Sequence, residues 1–153
     1  MLRAELGEFS SIVCFKAAIT GMEEALGEKA TAIALIAAGR SRGKNLAKEL
    51  GLTGASIKWA VIADKMDFAL GVNGTRLCKI QNIVEESDVI KVSTLETLAS
   101  ANEPEGSPRK CTYTLGAVWG ALEEITGKRL IGTHTESVLR GGSSDVFEFA
   151  PLV

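Results

Sequence analysis

Hydrophobic and polar positions along the chain fall into helical stripes more often than into alternating ones. Cys111, Leu115, Val118, Leu122 and Ile125 follow one another at steps of four, three, four and three, which lines one face of a helix. Gly116 and Gly120 stand one turn apart beside that face, where a backbone without side chains invites close approach by another helix, a strand or a ligand. Gly127 supplies a stop, and Lys128 and Arg129 face the helix's negative end. Two strand-like segments follow, the last carrying Phe147 and Phe149.

Upstream, Ser10 or Ser11 is a ready N-cap for a helix with Ile12, Phe15, Ile19, Met22 and Leu26 on one side, ended by Gly27. Cys14, Ala18, Gly21 and Ala25 form a second, small-residue stripe beside it. A second helix is predicted over residues 28–50, rich in alanine and leucine. Its middle, Gly39-Arg-Ser-Arg-Gly-Lys-Asn, has three residues between the glycines and Asn45 after the lysine. A phosphate loop needs four residues there and a Ser or Thr, so this is a glycine-faced helix with solvated Arg40, Arg42 and Lys44. Residues 56–66 carry apolar side chains around much of a third helix, which should be buried or line a cavity. Residues 68–72, Asn73-Gly74 and residues 75–80 then read as a hairpin with a type I′ turn. A strand over 88–92 and a loop over 100–108 complete the series.

Helices and strands are grouped rather than alternating. The predicted architecture is therefore α+β, one domain over residues 1–153, with an antiparallel sheet of about four or five strands packed against helices. With 153 residues, 46% of them hydrophobic, the chain can bury a sizeable core. Seventeen basic against 19 acidic residues leave no concentrated basic excess, and one tyrosine with 5% aromatics supplies no base-stacking platform, which argues against nucleic acid as a partner. No apolar run approaches a membrane span and no signal peptide is evident, so the expected location is cytoplasmic. Cys14, Cys78 and Cys111 are too scattered for a disulfide framework or a Cys-x-x-Cys site, and the single histidine, His134, removes multi-histidine metal sites.

The run from Leu115 through Trp119, Glu123 and Glu124 to Leu130, then Thr135-Glu-Ser-Val-Leu-Arg-Gly-Gly and the terminal Asp145-Val-Phe-Glu-Phe, resembles the C-terminal signature of the 4-vinyl-reductase domain family. That family is similar in fold to TRAPP-type trafficking subunits and to sensory domains of aromatic-responsive regulators. The resemblance implies a compact α+β homodimer with an internal apolar pocket for hydrocarbons, aromatics or tetrapyrroles, and a place beside pigment biosynthesis or photosystem assembly, peripheral to a photosynthetic membrane. Many members hold zinc or a redox-sensitive cluster through three cysteines. Cys111 matches the first position, but the other two fall at Ser137 and Asp145, which replace thiolate poorly. No metal is therefore expected.

The residues put forward for a ligand pocket are Phe15, Trp59, Phe68, Cys111, Leu115, Trp119 and His134. Four of them have a plainer alternative: a buried thiol for Cys111, core or dimer interface for Trp59 and Trp119, a hydrogen-bonded surface histidine for His134. Glu123 and Glu124, about 100° apart on a helix, make a solvated face rather than an acid/base pair. Arg140, beside Gly141 and Gly142, either meets an acid group or decorates a turn. Hydride transfer needs a cofactor, and no Gly-x-Gly-x-x-Gly follows a strand. The reading that results is a non-catalytic binding or carrier protein for a small hydrophobic ligand, such as a tetrapyrrole, a bilin or a hydrocarbon. The alternative is a dimeric adaptor, and a vinyl reductase subunit comes third.

Overall fold

The computed structural model describes residues 3–153. Helices α1 (Ile12–Leu26) and α2 (Glu28–Glu49) are separated by Gly27 alone, at φ 84°. Ser11 caps α1, its hydroxyl accepting from the Val13 N–H at 3.1 Å. Helix α3 (Trp59–Leu70) leads into strands β1 (Lys79–Glu86) and β2 (Val89–Leu95). Helix α4 (Thr112–Thr126) ends on left-handed Gly127, and β3 (Leu130–Glu136) and β4 (Asp145–Pro151) close the order. The fold is α+β with one four-stranded antiparallel sheet, in the order β1-β2-β4-β3.

Helix α4 lies between α2 and the sheet. Its apolar stripe is buried against Val92, Phe147 and Phe149, all fully enclosed. Register explains the inward face, because Ile90 pairs with Phe149 and Val92 with Phe147, and directly opposed residues point the same way. On its other side α4 meets α2 backbone to backbone. A Cβ on Gly43 would stand 2.7 Å from the Ala117 carbonyl carbon, and one on Gly120 the same distance from that of Arg40. The small residues that interrupt both helices are thus one seam, and the partner that Gly116 and Gly120 invite is α2.

The hairpin is not where Asn73-Gly74 places it. Ile62, Met66 and Leu70, all buried, carry the helical stripe of α3 through residue 70. Gly71 to Thr75 then form a compact turn folded back on the helix end, with the Thr75 N–H donating to Ala69 O at 2.9 Å. The two-residue hairpin turn is Ser87-Asp88, both at positive φ (50° and 66°), joining β1 to β2. Burial of a continuous apolar stripe outweighed a local turn preference.

Candidate functional site

Two places on the fold gather chemistry. The first is a groove of about 640 Å³ between the segment before α1, the end of α3 and the first turn of α4. Its floor is aliphatic, from Leu70, Leu77 and Leu98. Its walls are aromatic: Phe15 of α1 meets Tyr113 of α4 edge to face with centroids 5.3 Å apart, and Phe9 contributes from the N-terminal segment. Arg42, Arg76 and Glu8 stand at the same groove. Ser10, Ser11 and Thr75 add hydroxyls, so that apolar and polar groups share one concave surface, as at small-molecule sites.

The second is a buried polar knot where the start of α4 meets β3 and β4. Cys111, His134 and Asp145 each present a donor atom, all within 4.8 Å of one another. His134 Nε2 faces Asp145 Oδ1 at 3.3 Å. The angles do not make this a hydrogen bond, and neither atom has another partner among the described residues. Asp145 Oδ2 accepts from the Ser100 hydroxyl at 3.0 Å, and Ser100 also lies 3.3 Å from Cys111 Sγ. Burial alone would raise the Asp145 pKa, but the His134 imidazole and the hydroxyls of Ser137, Ser100 and Thr97 grouped around the carboxylate outweigh it and hold the carboxyl at about 2. Burial pushes the Cys111 thiol up to about 12, the Ser100 hydroxyl partly offsetting this and the Asp145 charge adding to it. Without a metal this thiol is no nucleophile.

His134 is not a surface histidine: its side chain is 3% exposed. The alternation that places it inward runs Leu130, Gly132, His134, with Gly132 opposite Phe149 and His134 opposite Phe147. Together the knot offers one sulfur, one imidazole nitrogen and one carboxylate, and two unpartnered buried polar atoms face each other there. This set fits a zinc-type ion. Cys111, His134 and Asp145 would hold it, and it would tie the start of α4 to β3 and β4. The histidine supplies a donor that a reading confined to Cys111, Ser137 and Asp145 leaves out.

The other expected pocket residues are dispersed. Of the seven, Phe15 alone lines the groove. Trp59 begins α3, half-buried, with its indole N–H donating to Glu85 at 2.8 Å. Phe68 is 64% exposed on α3, and Leu115 is buried in the core. Trp119 is half-buried on α4, its indole N–H donating to Leu130 O at 3.0 Å and its ring under the Arg40 guanidinium, 4.7 Å from the centroid. Arg40 also pairs with Glu123 at 2.7 Å, so neither is simply solvated. Glu124 accepts from the Thr53 hydroxyl at 2.9 Å. Arg140 reaches the Ser107 and Arg109 carbonyls at 2.8 and 3.1 Å and serves the loop before α4. Tyr113 and Arg76, both in the groove, were missed. Tyr113 lies two residues after Cys111, in the first turn of the helix already singled out, whereas nothing local distinguishes Arg76.

Among the described residues no helix is long and apolar enough to cross a membrane. No protein-family model matches the chain, and no curated protein matches it by sequence. Solved structures do. The phenol-responsive sensory domain of the transcription activator PoxR, crystallised with phenol, superposes with TM-score 0.71 at 11% identity, over 94% of this chain and 76% of that one. Trafficking protein particle complex subunit 3 from Naegleria fowleri, covalently bound to palmitic acid, superposes with TM-score 0.61 at 15% identity, over 93% of each chain. The chain shares the fold of these sensory and trafficking domains.

Proposed function

We propose that the protein is a non-catalytic binding domain for a small apolar molecule, received in the groove between Phe9, Phe15 and Tyr113. The observation that carries this reading is the groove's lining, aromatic walls over a Leu70, Leu77 and Leu98 floor. Support comes also from the two structural neighbours, whose crystals hold phenol and palmitic acid. A tetrapyrrole precursor, a bilin and a plain hydrocarbon all offer the apolar body that such walls take, and a supporting role in photosynthetic complex assembly belongs to the pigment case. An absorption spectrum of protein purified from its host tells a pigment from a colourless ligand. The direct test uses the neutral fluorophore N-phenyl-1-naphthylamine. It is expected to bind saturably at one site per chain, and Tyr113→Ala or Phe15→Ala is expected to weaken it about tenfold, the loss of one aromatic wall. Saturable binding indifferent to both substitutions, or none at all, removes the reading.

A second reading is favoured by apolar side chains that α1 and α2 leave outside: Val13 is 68% exposed, Leu26 61% and Ile33 64%. They suit a homodimer, the form an adaptor would take. Light scattering is then expected to give twice the 16.2 kDa chain mass, and Val13→Asp with Ile33→Asp to return it to one. A native chain that stays monomeric at high micromolar concentration would sink the dimer.

A further inference from the structure

We infer that the groove's ligand is an amphipathic acid: an aromatic or aliphatic body carrying one anionic group, held by Arg76 with Arg42 beside it. This rests on the binding reading above and narrows it. Beside its apolar residues the groove is lined by the hydroxyl residues Ser10, Ser11 and Thr75 and by three charged ones, Arg42, Arg76 and Glu8. Arg42 is shared with the exposed Glu49, at 3.3 Å. Arg76 has no carboxylate within 4.0 Å among the described residues; its guanidinium lies 5.8 Å from the Phe9 ring centroid. Among the described residues Arg76, exposed at the groove, is thus a cation in no ion pair, beside the aromatic ring of Phe9.

The backbone at Arg76 points the same way. Its φ is 57°, in the left-handed region, at the close of the turn that follows α3. Glycine or asparagine serves such a position at lower cost, and an ordinary side chain there gives up on the order of 1 kcal/mol. The turn itself needs only the backbone, whose Arg76 N–H donates to Gly71 O at 3.2 Å. The turn places the exposed Arg76 side chain at the groove. Guanidinium pairs with carboxylate, sulfonate or phosphate oxygens in a fork of parallel hydrogen bonds, stronger than neutral ones when water is partly excluded. An apolar body of moderate size and one such head group satisfy floor, walls and rim together.

The test compares two probes of nearly one shape, 8-anilinonaphthalene-1-sulfonate and the neutral N-phenyl-1-naphthylamine, on the native chain and on Arg76→Gln. The expected result is about a tenfold loss of sulfonate affinity in Arg76→Gln, with the neutral probe within twofold, since one charge-assisted pair is worth roughly that factor. Arg76→Gly, which relieves the left-handed backbone, is expected to show the same selective loss in a chain at least as stable as native. Raising sodium chloride from 0.05 to 0.5 M is expected to weaken the sulfonate and not the neutral probe. If both variants bind the sulfonate as the native chain does while the neutral probe still binds, the acid anchor is overturned and the apolar groove stands. If neither probe binds the native chain, both readings fall.

Discussion

Gly43→Ala is expected to cost the protein about 3 kcal/mol or more, the upper range for overpacking a rigid interior. The added Cβ would overlap the Ala117 carbonyl oxygen and lie 2.8 Å from Ala121 N, with backbone on every side and no flexible side chain to yield. The same substitution at Gly120 meets the Arg40 carbonyl, and at Gly116 that of Ile36. Relief means moving α2 away from α4 along the whole seam. For a domain stable by roughly 5–15 kcal/mol this is a large fraction of the total, and the melting temperature should fall by about 6–12 °C. Gly21→Ala on α1 is the matched control: nothing lies within 4 Å of its added Cβ. There alanine's better helix propensity should raise stability by up to about 1 kcal/mol. Equal small effects at both positions, by thermal or denaturant melts, would refute the seam.

Asp145→Ala is expected to destabilise by roughly 3–5 kcal/mol, the usual consequence of removing one member of a buried charged network. Asp145 is fully buried, and its departure takes from the Ser100 hydroxyl its acceptor, from the His134 imidazole the carboxylate it faces, and from the Ser137 and Thr97 hydroxyls a neighbouring charge. Those partners come from the loop after β2, from β3 and from the turn before β4, so three connections loosen together. Asp64→Ala, which removes an exposed carboxylate of α3, should stay within about 0.5 kcal/mol of native. Zinc ions are expected to raise the melting temperature of the native chain and to leave Asp145→Ala unmoved, because Cys111, His134 and Asp145 would hold the ion only as a folded set. Native protein that ignores zinc would show that the three donors do not take the ion.

Much of this fold is legible in the chain because helices announce themselves at long range. The stripe from Ile12 to Leu26, the Gly27 break, the stripe from Cys111 to Ile125 and the Gly127 stop all coincide with observed elements. Paired glycines in α2 and α4 could be read as an invitation, yet their mutual fit is a tertiary fact. Strand assignment fared less well around Asn73-Gly74, where the residues from Ile62 to Leu70 already complete a helical face. Ser87-Asp88 adopts the hairpin turn without the sequence that usually advertises it. His134 is instructive in another way: its neighbours Thr133, Thr135 and Glu136 look like surface, but counting by twos from Leu130 puts it inside. The groove was largely illegible, since it joins Phe9, Leu77 and Tyr113 from distant parts of the chain.

Strand β4, last of the elements in sequence, lies between β2 and β3. During synthesis, α1 to α3 and the β1–β2 hairpin emerge while the strand that covers β2's free edge is still unmade. Ile90 and Val92, fully enclosed in the finished protein, face solvent in that interval along with an unpaired run of backbone. Pairing β2 with β4 closes a loop of about fifty residues, an entropic step that local helix formation cannot assist. The nascent chain thus passes through a stage in which chaperones and wrong partners compete for one sheet edge, and arrival of Val146, Phe147 and Phe149 ends it.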